Sequence, residues 1–319
     1  MSLTFIQTVK GIVSTDQLGL ILPHEHLFTD LRGPWATDYA LADLGAVEHT
    51  MVPYMEAALR AGATAIVECS TVGVGRNIPV LRCLAEAAPI HIIAPTGVYR
   101  DAYVPPRLRN MGPEDLAKEW IRELTLGMEG TEIRAGFIKV AVSDNGPTAL
   151  EVRNLKAAAT ASRQTGASVM CHIPEGVIAQ RVVEVLGLVG LDLSRFVWAH
   201  ANLEPDPALH LEAARRGVYV EFDAVGAVWQ SQEAMVDYTV SLIEAGQADR
   251  ILLSHDAGWY DPSQADGKPL DGGVRGYTAL VLEFIPMLRA RGVTDELIHL
   301  MTVVNPARAI SMSCASQRA

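Results

Sequence analysis

The chain alternates short apolar runs with longer stretches in which apolar residues recur every three or four positions. Eight runs are apolar or β-branched almost throughout: LGLILPH (18–24), ATAIVECS (63–70), IHIIAPTG (90–97), AGFIKVA (135–141), SVMCH (168–172), FVWAH (196–200), VYVEFD (218–223) and ILLSHD (251–256). Strands buried on both faces read this way, because neither face meets water. Between them lie segments of helical period, among them AVEHTMVPYMEAALRAG, PEDLAKEWIRELTLGM, ALEVRNLKAAATASRQTG and DPALHLEAARRG. Several end in glycine, which readily takes the left-handed turn that closes a helix. Strand and helix alternating eight times predict a parallel sheet closed on itself: an α/β chain folded as a (β/α)8 TIM barrel, one domain over 1–319.

No stretch reads as a linker, a low-complexity tract or a close repeat. The longest irregular parts, 29–42, 99–112 and 257–275, each follow a strand, on the rim where a barrel builds its active site. At 319 residues and 49% hydrophobic content the chain can bury a large core. Its net charge of -11, with no cluster of lysines or arginines, argues against nucleic acid or an anionic membrane as partner. The four cysteines, Cys69, Cys83, Cys171 and Cys314, lack metal-type spacing, and Cys69 and Cys171 read as small core residues. With no secretory signal pattern and no apolar run long enough for a bilayer, the cytoplasm is the expected compartment.

Composition leaves the chemistry open, and the strand ends narrow it. His24 and His26 close the first run, Lys139 lies in the fourth, and His172, His200 and Asp256 close the fifth, sixth and eighth. Alternation turns His24 and His26 to one face and Glu25 to the other, so two imidazoles at a strand end could grip one metal ion. Taken singly, each residue has a plain reading: a satisfied core histidine, a snorkelling lysine, a helix-capping aspartate. A barrel brings all six to one mouth, where they would form a binuclear metal site suited to zinc, with cobalt or manganese as alternatives. Lys139 has apolar neighbours that disfavour its ammonium form, and a neutral amine can capture carbon dioxide as a carbamate able to bridge two cations. His49, His210 and His299 fall in helical stretches and His91 at the opposite rim, so all four read as structural. His255, turned away from Asp256 by alternation, reads as a supporting residue.

In order and placement these residues resemble the phosphotriesterase-like branch of the amidohydrolase superfamily, over essentially the whole chain. The stretches LPHEHL, GTEIRAGFIKVA, ILLSHDAG and the late NPAR (305–308) add to the resemblance. It implies that His24, His26 and Asp256 hold a buried metal, that His172 and His200 hold a more exposed one, and that carboxylated Lys139 and a hydroxide bridge them. The hydroxide would attack a carbonyl or phosphoryl centre polarised by the exposed ion, with Asp256 as proton acceptor. No Ser-His-Asp arrangement competes, and GVGRN (73–77) lacks the lysine of a phosphate-binding loop.

Substrate is less legible. Tyr99 follows the third strand, where the family's lactonases carry a tyrosine over the substrate. Trp229, Trp259 and Tyr260 fall in late loops and could wall an apolar pocket or serve an interface between two copies. Arg275 reads as a surface salt-bridge residue. At the end of strand seven the family's lactonases would show Asp-Arg and its organophosphate hydrolases Asp-His, whereas this chain reads Asp223-Ala224, and IPEG after His172 departs as well. The expectation is a hydrolase of a lactone or related carboxylic ester, promiscuous toward phosphotriesters. It has a small-molecule substrate, Tyr99 and Trp259 as substrate contacts, and a homodimeric state. The alternatives are an amidase on a small N-acyl compound, a true phosphotriesterase, or a non-catalytic binding barrel.

Overall fold

A computed structural model describes residues 4–270 and 273–313, so Cys314 lies outside the described residues. The strands in chain order are β1 (Thr4–Thr8), β2 (Gly11–Ser14), β3 (Leu20–Phe28), β4 (Ala63–Glu68), β5 (His91–Ile93), β6 (Pro95–Val98) and β7 (Phe137–Ala141). They continue with β8 (Val169–His172), β9 (Phe196–Ala199), β10 (Tyr219–Phe222), β11 (Ile251–Leu253), β12 (Gly258–Tyr260) and β13 (Met312–Ser313). Parallel pairing runs from β3 through β4 to β5, and from β6 through β7, β8, β9 and β10 to β11. β5 and β6 are one stave interrupted at Ala94, and β11 and β12 are another, interrupted around Asp256. The ring closes where β12 pairs with β3, Gly258 opposite His26 and Tyr260 opposite Phe28. The result is the (β/α)8 barrel that the alternation predicts.

The two-residue period of the strands accounts for the core. Ile21, Ala65, Val67, Ile93, Phe137, Met170, Val197 and Leu252 point inward and fill the barrel. Their neighbours Leu22, Ile66, Ile92, Ile138, Cys171, Trp198, Val220 and Leu253 point outward and pack beneath the helices. The four quoted helical segments form Leu44–Arg60, Pro113–Thr125, Ala149–Thr165 and Pro207–Arg215. Thr148 and Glu151 form a reciprocal cap at the start of the third, and Gly166 ends it at φ 76°.

Two features differ from the sequence expectation, and a third, the helix entry at NPAR, agrees with it. Residues 4–14 form a hairpin that pairs with Met312–Ser313 in an antiparallel sheet. With Ala307, Ala309 and Ile310, Ile6 from this hairpin plugs the end of the barrel opposite the histidines. The strands FVWAH and ILLSHD stop early, at Ala199 and Leu253, because the residues beyond them leave extended backbone: His200 has φ 65° and Asp256 φ 49°. The stretch NPAR begins the helix Asn305–Ile310, where Asn305 Nδ2 donates to the carbonyls of Ala248 and Ile251 at the foot of β11. No helix among the described residues is long and apolar enough to cross a membrane.

Candidate metal centre

His24, His26, Lys139, His172, His200 and Asp256 line one open cavity of about 160 Å³, together with Thr29, Leu31, Cys69, Val74, Tyr99 and Trp259. The strands dictate this convergence. His24 and His26 face inward from β3, Lys139 from β7 and His172 from β8, while His200 and Asp256 sit one and three residues past β9 and β11. Left-handed backbone at a non-glycine residue costs about 1–3 kcal/mol and is held only where surrounding structure over-determines it. Both His200 and Asp256 have that conformation.

The rings are close packed. His24 and His200 have centroids 4.9 Å apart, His172 and His200 4.3 Å, and His24 and His26 5.7 Å. Asp256 Oδ1 lies 2.9 Å from His26 Nε2 and 3.5 Å from His24 Nε2. Lys139 is buried, with Nζ 3.1 Å from His24 Nε2 and 3.3 Å from Met170 Sδ. Among the described residues it makes no ion pair with a carboxylate.

Three of the four imidazoles are oriented from behind, and here sequence reasoning missed residues. His24 Nδ1 contacts Glu221 Oε2 at 2.8 Å and Asp223 Oδ2 at 3.1 Å. His200 Nδ1 contacts Asp223 Oδ1 at 3.0 Å, and His200 N donates to Asp223 Oδ2 at 2.8 Å. His26 Nδ1 contacts Ser70 Oγ at 2.7 Å. Such partners fix ring orientation and leave the other nitrogen for an ion. The signal in the sequence was two acids inside the apolar run VYVEFD. Alternation puts both Glu221 and Asp223 on the inward face, whereas Asp223 drew notice only for its neighbour Ala224.

Protonation follows from burial and neighbours. Burial, then the charges of His200, Lys139 and Arg100, hold His172 well below the ordinary imidazole value, so it is a neutral ring at neutral pH. Burial opposes charge on His24 too, yet Cys69, Glu221 and Asp223 carry it well above that value. Burial works to raise Asp256, but the hydrogen bond with His26 and the charges of His24 and His200 hold it well below the usual carboxylate range. Burial pushes the Tyr99 phenol up to about 12.

The donor set fits divalent ions. His24, His26 and Asp256 bring ligand atoms within 4.8 Å of one another, as do His24, His200 and Asp223. Asp223 already engages both of its rings from behind, so the first set is the one that opens into the cavity. A buried amine facing an imidazole nitrogen, with no carboxylate to pair it, fits a lysine that carries a carbamate.

Of the other residues singled out, Tyr99 reaches the cavity with its hydroxyl 3.3 Å from His172 Nδ1, and Trp259 stands edge-on to His26 at 6.0 Å. Trp229 remains 62% exposed and lines no part of the cavity. Tyr260 is buried and stacks on Phe28. Arg275 makes no surface salt bridge among the described residues: its Nη2 donates to the carbonyls of His255 and Asp256. His255 supports the loop from behind, through Glu25, as alternation implies.

Comparison with known proteins agrees with this geometry. Residues 4–310 match the model of the phosphotriesterase family. A phosphotriesterase homology protein of Mycobacterium tuberculosis is 31% identical over 95% of this chain and 96% of its own. An N-acetyltaurine hydrolase of Danio rerio is 28% identical over 95% and 97%. A double mutant of an organophosphorus hydrolase from Deinococcus radiodurans superposes with a TM-score of 0.87 at 32% identity, covering 96% of each chain. A mutant PTE-like lactonase from the same organism gives 0.84 at 30%, over 96% of this chain and 99% of its own. The metal-competent barrel mouth and whole-length similarity agree: this chain belongs to the phosphotriesterase family and is a hydrolase.

Proposed function

We propose that the chain is a binuclear metal hydrolase acting on a lactone or related carboxylic ester. The observation that carries this reading is the meeting of six distant side chains, His24, His26, Lys139, His172, His200 and Asp256, at one apolar-walled mouth. Two divalent ions, zinc by preference, held by those residues with Lys139 as carbamate, would supply Lewis acidity toward a carbonyl and acidify water. The chain's own residues do the rest. Asp256 is 27% exposed to the cavity and stays ionised, so it can take the proton of an attacking water and hand it toward the leaving group. Tyr99 keeps its proton and offers a donor to a ring or carbonyl oxygen. Leu31, Val74 and Trp259 give the acyl chain an apolar wall.

Resemblance to a PTE-like lactonase supports the ester reading. The N-acetyltaurine hydrolases among the relatives support a second, hydrolysis of a small N-acyl compound, and the missing arginine or histidine after Asp223 favours neither lactonase nor organophosphate hydrolase.

The test is a panel of lactones, esters, N-acyl amino compounds and phosphotriesters, run on protein loaded with zinc, cobalt or manganese plus bicarbonate. Lactones or esters should give the highest kcat/KM and phosphotriesters a weak rate; an N-acyl compound at the top would replace the ester reading. Asp256→Asn should lower kcat by about 10²–10⁴-fold, the usual worth of a positioned base, with the circular dichroism spectrum unchanged. Full activity in that variant would remove Asp256 from the chemistry.

A further inference from the structure

Glu25 points away from His24 and His26 and is fully buried against the loop that carries Asp256. Its Oε1 accepts from Ser254 Oγ at 2.8 Å, His255 N at 3.1 Å and His255 Nδ1 at 2.6 Å, and its Oε2 accepts from Ala257 N at 3.2 Å. From the other side, Arg275 Nη2 donates to the carbonyl oxygens of His255 at 2.6 Å and Asp256 at 2.7 Å. Asp256 N donates to the His24 carbonyl at 3.1 Å. All four polar groups of the two peptide units flanking Asp256 therefore have a fixed partner. His255 Nε2 accepts from Leu280 N at 2.9 Å, which places the ring proton on Nδ1, facing Glu25.

This arrangement answers a question the site raises. Asp256 sits at φ 49°, in a backbone conformation that a non-glycine residue seldom adopts, and its carboxylate direction depends on both adjoining peptide planes. We propose that Glu25, with His255 and Arg275, is a positioning residue for Asp256, holding both peptide planes so that Oδ1 stays on His26 Nε2 and faces His24. The assignment rests on the hydrolase reading above, and it adds to the site a residue that touches neither ion nor substrate.

The glutamate is needed as a carboxylate. A glutamine of the same shape sets an N–H₂ against the N–H of Ala257, or, flipped, against the three donors at Oε1. Metal-free wild type, Glu25→Gln, His255→Asn, His255→Ala and Arg275→Met would be titrated calorimetrically with zinc chloride alone. Their kcat and KM would be measured on the best substrate of the panel. Wild type should take up two equivalents. Glu25→Gln should bind one of them about 10–100-fold more weakly and lose kcat to a similar degree with KM unchanged, as supporting residues of metal ligands do. His255→Asn, which keeps a donor toward Glu25, should recover much of what His255→Ala loses. Should Glu25→Gln fail to fold, Arg275→Met tests the same clamp from its more exposed side. Wild-type zinc binding and kcat in whichever of these variants fold would overturn the assignment and leave the hydrolase standing. A wild type that binds no zinc and turns over nothing would overturn both.

Discussion

Tyr99 shows how a single residue can be placed by the fold and still need a measurement to assign its work. It follows β6, sits edge-on to His172 with ring centroids 5.5 Å apart, and brings its hydroxyl into the cavity. Burial penalises the phenolate, so the phenol stays protonated until pH passes about 12 and remains a donor throughout the range in which hydrolysis is assayed. If that donor meets substrate, Tyr99→Phe should lower kcat/KM by about 2–10-fold, the worth of one ordinary hydrogen bond. The alkaline limb of the pH profile should not move, because Tyr99 does not titrate there. A variant equal to wild type on every lactone would make Tyr99 a packing residue. That these six residues meet at one mouth was legible in sequence because each ends, or nearly ends, an apolar run. Glu221, Ser70 and Glu25 were not, because what they do depends on which side chain stands opposite across the barrel. Asp223 lay between these cases: its position was visible, but its two contacts with His24 and His200 were not.

Among the elements, β6 and β7 carry the tightest constraint near the site. Gly97 pairs with Lys139 across these strands, and at φ 109° a Cβ on Gly97 would run into the Lys139 carbonyl oxygen. Glycine here lets the two staves approach closely enough for Lys139 to project into the mouth. Gly97→Ala should destabilise by about 3 kcal/mol or more, combining left-handed strain with a backbone clash, as read from urea melts. Gly246→Ala is the control: its φ is 74° and nothing lies within 4 Å of the added methyl, so strain alone, about 1–2 kcal/mol, should remain. Equal losses at the two sites would show that the strands can part at no cost. Strand existence was readable from apolar runs, since burial on both faces leaves a compositional mark. Strand ends at His200 and Asp256 were not, because the groups that hold the backbone there, Asp223 at His200 N and Glu25 and Arg275 around Asp256, come from distant parts of the chain. The basal sheet escaped notice for a different reason: β1 and β13 stand some three hundred residues apart in sequence, and neither run is long enough to declare its partner.

At the scale of the molecule, the barrel buries Glu221 and Asp223 behind His24 and His200, and the charge of His200 in turn disfavours charge on His172. Burying charge is costly even when it is paired, and ions that bind only the folded chain add stability by mass action. One ion present at a hundredfold excess over its Kd contributes about 2.7 kcal/mol. In a large domain each kcal/mol moves Tm by roughly 2–4 °C, so stripping the metal should lower Tm by roughly 5–10 °C for each ion lost. Readdition of zinc with bicarbonate should restore Tm and activity together. The melt should stay a single transition in both forms. Inward and outward faces of the same strands belong to the inner and outer cores, so the plugged base and the histidine-lined mouth share every stave and cannot unfold apart. Differential scanning calorimetry on chelated and zinc-loaded protein checks both statements. A chelator that abolishes turnover without moving Tm would separate metal from stability, and two resolved transitions would break the link between mouth and base.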